Sequence, residues 1–426
     1  MRQLLNLSIF ILLLFTATYQ DSFLSNAIGE IGRSPTILLL PILIGYSFNK
    51  RQKLNTTAFK SIDKVLRHFL LTYTIVSIIN LFLWFSVGEQ TLIYLNQNVI
   101  YKCIKYGMYY IVFILIYQYS YHSFSFATSN KSISIGLLAL IIFHVVIIIT
   151  ELCTIPKALT WFHANDIYYP RIRMLTYESS WTGGIAVLLF CGGMAFSEKR
   201  ISQIICLVFI LLFTVTSGSK QFLMVFPISM FLASFKIEHK NKNLLLFVSL
   251  VGFIIAVILL TPVLIDKFTE DLVEFSSTVT RSSVFLNSFR IILFVQPIGT
   301  GGLYFYYVAT ELQKTAQIIV DLIGFGVLDE VQRVGKESDE FITAGSTFAE
   351  WTLLGGYLGI ILYLMLLVRL YRYAKINYWL LVGFIHFAIT NTFSETMVTK
   401  VNWAVFFALV CIYYDRKARG NFSNIS

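Results

Sequence analysis

Long runs without a charged side chain constrain this chain more than any other feature. Twelve such windows occur, at residues 3–20, 34–49, 68–88, 106–130, 132–150, 179–197, 201–219, 221–235, 243–265, 351–368, 376–394 and 401–414. A membrane-crossing helix needs roughly 20 apolar residues, and a charge at its centre costs several kcal/mol. Only 13% of the residues are charged, against about 25% in soluble proteins. The sequence therefore predicts an all-α, polytopic membrane protein, with residues 1–426 forming one integral membrane domain of about twelve transmembrane helices.

Lysine and arginine are distributed unevenly between the connections of these windows. If the N-terminus is cytoplasmic, the inner connections hold 19 of the 33 basic residues, while 19 of the 23 acidic residues lie outside. Six of the outer basic residues belong to one long loop, to which the positive-inside rule does not apply. Both termini are therefore predicted to be cytoplasmic. The first window follows Arg2 like a signal peptide; we interpret it as an uncleaved helix, with cleavage as the alternative.

Two outer connections are long, a medium loop at residues 151–178 and a large loop at residues 266–350. Residues 291–310 inside the large loop are also uncharged, but a span there would reverse the side of every later connection. The Pro297–Gly302 run would also break a helix near its middle. We therefore expect residues 291–310 to dip into the membrane, or to lie on its surface, as part of the extracytoplasmic loop.

Cysteine spacing and net charge exclude several kinds of site. The five cysteines are scattered, without a CxxC pair or a cysteine–histidine cluster. No disulfide framework, metal site or cofactor is therefore predicted. The net charge of +10 follows from the basic inner connections, so it indicates membrane topology and no nucleic-acid partner.

The medium loop carries charges where it enters the next span. Arg171, Arg173 and Glu178 lie within eight residues of one another. Arginines at this depth either bind a substrate anion or anchor the helix among lipid headgroups. His163, earlier in the same loop, is either a base or, beside Trp161, an interfacial anchor, and the anchor is the favoured interpretation.

The large loop offers a second set of candidates. Arg281 and Arg290 precede a turn in which Gly299 and Gly301 allow backbone N–H groups to approach an anion closely. The two arginines are nine residues apart, which places them on roughly opposite faces of an ideal helix. Such a turn equally serves simply to reverse the chain.

Two further charges lie at the outer ends of spans. Lys220 either binds phosphate or ends two spans, and Glu350 is either a boundary charge or a site residue. Arginine forks suit the oxygens of a diphosphate leaving group, because fixed cations stabilise the charge that develops as its bond to a sugar breaks. A carboxylate such as Glu178 suits a general base for the attacking hydroxyl.

Three segments resemble the Wzy-type O-antigen and capsular polysaccharide polymerases, which are related to the O-antigen ligases. They are RIRMLTYESSWTGG (171–184), VTSGSKQFLMVF (215–226) and RSSVFLNSFRIILFVQPIGTGGLYF (281–305); the later span STFAEWTLLGGYLGIILYL is also similar. Some of these polymerases carry an arginine, ten further residues and a glycine in each of two outer loops. Arg173 to Gly184 and Arg290 to Gly301 fit that pattern. Lys220 stands where relatives often carry arginine.

The resemblance implies a metal-independent glycosyltransferase, without a cofactor, in the bacterial cytoplasmic (inner) membrane. It would polymerise undecaprenyl-diphosphate-linked repeat units into O-antigen, capsule or exopolysaccharide on the outer face. Implied partners are the lipid-linked donor and acceptor glycans, membrane lipid and, optionally, a chain-length regulator protein. The catalytic residues would be Arg173, Arg290 and Glu178, and the substrate-binding residues Arg171, Arg281, Lys220, Gly184, Gly299, Gly301 and Glu350.

Three alternatives remain open: an O-antigen ligase, a flippase or other transporter, and a non-catalytic assembly or anchoring protein, which would tolerate arginine changes in both loops. An O-antigen ligase would resemble this chain, but the ligases use a histidine in the long second loop, where this sequence has none. A flippase or other transporter usually places its polar site near the bilayer midplane. The spans here are nearly free of charge, which favours a site at the membrane surface.

Overall fold

The computed structural model describes residues 2–42, 57–86, 92–94, 97–126, 129–154, 163–164, 172–176, 181–217, 219–236, 277–323, 345–397 and 400–419, with positions 247, 250–251 and 254. The α-helices are α1 (Arg2–Thr18), α2 (Leu24–Ile28), α3 (Thr57–Ser86), α4 (Val99–Phe126), α5 (Asn130–Thr154), α6 (Thr182–Phe196), α7 (Arg200–Thr216), α8 (Lys220–Ser234), α9 (Ser277–Arg290), α10 (Tyr304–Ile323), α11 (Thr347–Ala374), α12 (Tyr378–Phe393) and α13 (Asn402–Ala418). Short 3-10 turns lie at Gly29–Gly32, Pro35–Leu39 and Gly301–Leu303, and a π-helix at Ile291–Val295. Strands β1 (Ile93–Tyr94) and β2 (Gln97–Asn98) form one short antiparallel pair.

Four helices are long and apolar enough to cross a membrane, over Thr57–Ser86, Val99–Phe124, Asn130–Thr154 and Thr347–Ala374. Shorter apolar helices accompany them, such as Thr182–Phe196 and Tyr378–Phe393. The chain therefore has the structure of an all-α membrane protein, as the sequence predicts. The count of twelve spans stays a prediction, because residues 43–50 and most of 243–265 lie outside the described residues, and Pro35–Leu39 forms a 3-10 turn.

Helix α13 lies at the centre of the bundle. Its residues from Asn402 to Ile412 are all buried, and it packs against α4, α6 and α11. A helix that is apolar on every side is expected in such a position. Helix α6 is buried along its whole length, and a Cβ at Gly184 would lie 3.1 Å from Asn402 Nδ2 and 3.2 Å from the Trp403 ring. Gly184 therefore permits the close approach of α6 to α13.

Polar side chains gather at the two ends of this bundle. One end is here called the Asp21 end, since contacts described below join its residues Gln20, Asp21, Glu151, Trp181, Glu395 and Lys400. At the opposite, Asp415 end, the Tyr121 hydroxyl donates to Asp415 at 2.6 Å and Arg416 to Asn130 at 2.6 Å. Of the connections that the lysine and arginine distribution assigns to the outside, those that hold Asp21, Arg173 and Lys400 contribute to the Asp21 end.

Helices α9 and α10 form an antiparallel hairpin. Thr315 Oγ1 donates to Asn287 Oδ1 at 2.7 Å, and Val284 packs against Leu312 and Ala316. Residues 296–300 between the helices are not helical, so residues 291–310 do not form one continuous span. Asn80 in α3 donates to the carbonyl of Gly299 at 3.0 Å, about two turns before α3 ends. The turn therefore packs beside the spans, where protein covers it at Gly299 and Thr300.

The hairpin turn at residues 296–300 packs against a break in helix α11. Gly356 has φ 60° and ψ −147°, a conformation that glycine adopts readily and other residues do not. The carbonyl of Leu353 accepts hydrogen bonds from Thr300 N at 2.8 Å and Thr300 Oγ1 at 2.9 Å. Gly299, with φ 100°, lies directly against Gly356. The two glycines thus allow the hairpin turn to pack directly against the break in α11.

Replacing Gly356 with alanine is expected to destabilise the protein. The new Cβ would overlap the carbonyl oxygen of Pro297, and the positive φ alone costs about 1–2 kcal/mol. We expect the melting temperature in detergent to fall by about 5 °C or more. The control is Gly355→Ala, whose Cβ would meet Phe69 and Thr72 at an ordinary 3.4 Å. Equal melting temperatures for the two variants would show that the turn and the break are not coupled.

Candidate functional site

The chain leaving α1 is tied to the medium loop and to α13. Gln20 N donates to the carbonyl of Leu175 at 2.7 Å, and residues 20 and 176 form a parallel β-bridge. The Gln20 side chain donates to Asn402 Oδ1 at 2.7 Å, at the first turn of α13. These bonds bring Asp21 and residues 172–176 together, although the sequence separates them by about 150 residues.

Glu151, in the last turn of α5, holds the medium loop from the other side. Its Oε2 accepts the backbone N–H of Arg173 at 3.2 Å and that of Met174 at 3.0 Å. Met174 has a φ of 48°, which is unusual for a residue with a side chain. A tight turn follows, because Thr176 N and Oγ1 both donate to the carbonyl of Arg173, at 2.9 and 2.7 Å.

Four ionisable side chains meet within these segments, and we call Asp21, Glu151, His163 and Arg173 the polar cluster. His163 Nδ1 lies 2.6 Å from Asp21 Oδ2, and its Nε2 lies 3.8 Å from Glu151 Oε1. The Arg173 guanidinium lies 3.9 Å from Asp21 Oδ2. All four side chains are at most 3% exposed. Burying charges is tolerated only where opposite charges and hydrogen bonds compensate for lost hydration.

The neighbours of His163 favour its protonated form. Burial lowers the pKa of the imidazole, but the hydrogen bond to Asp21 and the nearby Glu151 carboxylate together raise it by more than burial and the charge of Arg173 lower it. The net effect is a pKa above the ordinary 6.5. When His163 is protonated, two carboxylates face two cations and the buried charge is balanced. Loss of that proton leaves the polar cluster with a net negative charge.

Two more cations lie beside Trp181, at the start of α6. Arg33 Cζ is 5.2 Å and Lys400 Nζ is 5.0 Å from the centre of the indole ring. Lys400 also pairs with Glu395 at 3.2 Å, and both side chains are 4% exposed. Arg33 lies close to the polar cluster in the fold, because its carbonyl accepts a hydrogen bond at 2.9 Å from the backbone N–H of Ser22, the residue after Asp21. The Asp21 end therefore combines cations, carboxylates, an imidazole and an aromatic face.

Arg290 lies in a different cluster. Its Nη1 is 2.6 Å from Glu311 Oε2 in the hairpin, and Lys314 Nζ is 2.9 Å from the other oxygen of Glu311. Slight burial raises the pKa of Glu311, but bonds from Lys314 and Arg290 outweigh it and hold the pKa below its usual range. In this structure Arg173 contacts Asp21 and Arg290 contacts Glu311, so their predicted convergence on one substrate stays a prediction.

A charge swap tests how much the hairpin depends on this pair. Arg290→Glu would place two carboxylates together and is expected to cost about 1 kcal/mol, since the pair is partly exposed. Adding Glu311→Arg should restore the melting temperature. The stabilisation should be present above the ordinary pKa of Glu311 and disappear as pH falls through its lowered value. A double variant no more stable than Arg290→Glu would contradict a direct pairing.

The other predicted site residues fall into three groups. Glu350 is buried in the first turn of α11 and accepts a hydrogen bond from the Tyr110 hydroxyl, away from the polar cluster. Gly184 packs against α13, and Gly299 and Gly301 shape the hairpin turn with positive φ values. Arg171 and Glu178 lie outside the described residues, as do the side chains of Lys220 and Arg281.

Asp21 and Glu151 were not predicted as site residues, and His163 was interpreted as an anchor. The available signal was modest: each carboxylate stands directly after an apolar window, which also suits a residue that merely ends a helix. Among the described residues, no three His, Cys, Asp or Glu side chains are placed to hold a metal ion. The chain matches no protein-family model and no curated protein.

Proposed function

We propose that this chain polymerises lipid-diphosphate-linked glycan repeat units at the extracytoplasmic surface of a bacterial cytoplasmic membrane. The proposal includes twelve spans, cytoplasmic termini and a site at the Asp21 end. It takes its reaction from the resemblance to the Wzy-type polymerases. The observation that carries it is the polar cluster with Arg173, buried where apolar helices end and beside the cations at Trp181.

The chemistry of such a transfer matches these groups. A glycosidic bond forms as an acceptor hydroxyl attacks the anomeric carbon, while the bond from that carbon to a diphosphate oxygen breaks. The diphosphate leaves with the bonding electrons, and cations already in position stabilise it without reorganising. Arg173, Arg33 and Lys400 supply such cations, and Arg290 stays a candidate on the hairpin.

Deleting the gene in its own host tests this proposal. We expect surface glycan to be reduced to single repeat units, with single units accumulating on the carrier lipid at the outer face. The protein-level control is an Arg67→Ala chain, altered at an exposed arginine of the Asp415 end, which should restore the polymer. Persistent long glycan would overturn the proposal. Units trapped on the cytoplasmic side would indicate a flippase, and finished polymer retained on the carrier would indicate a ligase.

A further inference from the structure

His163 and Asp21 form a pair whose geometry orients the imidazole. The 2.6 Å contact joins Nδ1 to a carboxylate oxygen, which only accepts hydrogen bonds, so Nδ1 carries a hydrogen. The unprotonated base form of His163 therefore has its lone pair on Nε2. Both side chains are at most 1% exposed, which leaves the ring little freedom to turn.

The other ring nitrogen of His163, Nε2, faces the carboxylate of Glu151, which is held in place by other hydrogen bonds. Glu151 Oε1 lies 3.8 Å away, too far for a hydrogen bond, while Oε2 is held by the N–H groups of Arg173 and Met174. Closing the gap would weaken those two bonds. No described residue hydrogen-bonds to either Nε2 or Oε1, although both atoms are buried. Leaving such buried atoms without partners is unfavourable, because they have lost their hydrogen bonds to water.

A hydroxyl group would supply the hydrogen-bond partner that these two atoms lack. Its oxygen can lie about 2.8 Å from both Nε2 and Oε1, donating its hydrogen to one of them. The Arg173 guanidinium lies 3.9 Å from Asp21 Oδ2, the oxygen that contacts Nδ1 of the same imidazole. A proton acceptor and a cation therefore lie in one enclosed place, where the exclusion of water strengthens both interactions.

We propose that His163, oriented by Asp21, accepts the proton of the acceptor-sugar hydroxyl through Nε2 during glycan transfer. This inference rests on the proposed function. The hydroxyl oxygen bonds to the anomeric carbon, its proton passes to Nε2, and the lipid diphosphate departs with the electrons of the broken bond. His163 then releases the proton to water. Glu151 is a positioning residue that holds the hydroxyl against Nε2.

The pH profile follows from the groups that face the imidazole, namely Asp21, Glu151 and Arg173. Protonated His163 cannot accept a proton, so the rate should rise with pH through the pKa of His163, above its ordinary 6.5. Removing the charge of Glu151 takes away one of the interactions that raise this pKa. Glu151→Gln keeps a side-chain oxygen for the two backbone N–H groups. It should shift the rising limb, the pH range in which the elongation rate increases, to lower pH.

The test uses the purified full-length protein with lipid-diphosphate-linked repeat units extracted from the deletion strain. His163→Gln should lower the elongation rate by about 100-fold or more, the usual contribution of a general base. It should leave lipid-linked donor binding unchanged. A His163→Gln rate within threefold of wild type, or an unshifted limb in Glu151→Gln, would overturn the assignment. If His163→Gln does not fold, the pH at which the elongation rate of Glu151→Gln rises decides whether the assignment stands. A folded wild-type protein that elongates nothing would instead refute the proposed function.

Discussion

Replacing Arg173 with alanine is expected to lower glycan elongation by at least about 100-fold, the typical loss when one fixed group that stabilises transition-state charge is removed. The fold around it should survive, because the backbone of Arg173 keeps its bonds to Glu151 and Thr176. Arg173→Lys retains the charge but not the planar fork, so we expect only partial recovery. The rate is measured as polymer formed per molecule of folded protein.

Arg67→Ala is the matched control, since that arginine lies at the Asp415 end and is 61% exposed. It should elongate glycan at the wild-type rate. Normal elongation by Arg173→Ala would show that this arginine has no role in the reaction. The proposed function would then be supported only by the resemblance to the polymerases. Equal losses in both arginine variants would point to a general effect of lost positive charge rather than to a site at the Asp21 end.

Replacing Glu151 with alanine is expected to produce the largest loss of stability. Two buried backbone N–H groups lose their acceptor, and His163 loses a neighbouring negative charge. The expected cost is on the order of 2–5 kcal/mol. The amide hydrogens of Arg173 and Met174 should exchange with solvent faster, because the carboxylate holds that turn against α5.

Melting temperature and hydrogen exchange in detergent measure this effect, with Glu198→Ala as the control at an exposed position. Glu151→Gln should lie between alanine and wild type, because its amide oxygen still accepts hydrogen bonds. If Glu151→Ala has the melting temperature of the wild type, and the amide hydrogens of residues 172–176 exchange no faster, the carboxylate does not anchor the medium loop.

The length of the uncharged windows was enough to predict the long apolar helices of the bundle. Helix α13 follows from the uncharged window 401–414, because a fully buried helix needs no polar face. The break in α11 is invisible at that level, since two glycines in an apolar run also suit an ordinary span. Only the contact of Gly356 with the Pro297–Gly299 turn explains its positive φ. Proline and glycine did correctly exclude one continuous helix over residues 291–310.

The site was harder to predict, because its contacts are distant in the chain. His163 and Asp21 are 142 residues apart, and no spacing rule relates them. The charge distribution did place Arg33, Arg173 and Lys400 on one side, which is the end where the structure gathers them. It could not show that Arg290 pairs with Glu311, since that contact depends on the reversal of the hairpin.

The most direct measurement follows elongation by the purified protein in proteoliposomes containing lipid-diphosphate-linked repeat units as the sole glycan. With the wild-type protein we predict a ladder of longer glycans, with one lipid diphosphate released for each new glycosidic bond. The Arg67→Ala protein should match it, and the Arg173→Ala protein should leave single units. Unchanged repeat units with folded wild-type protein, or a full ladder from Arg173→Ala, would contradict the account.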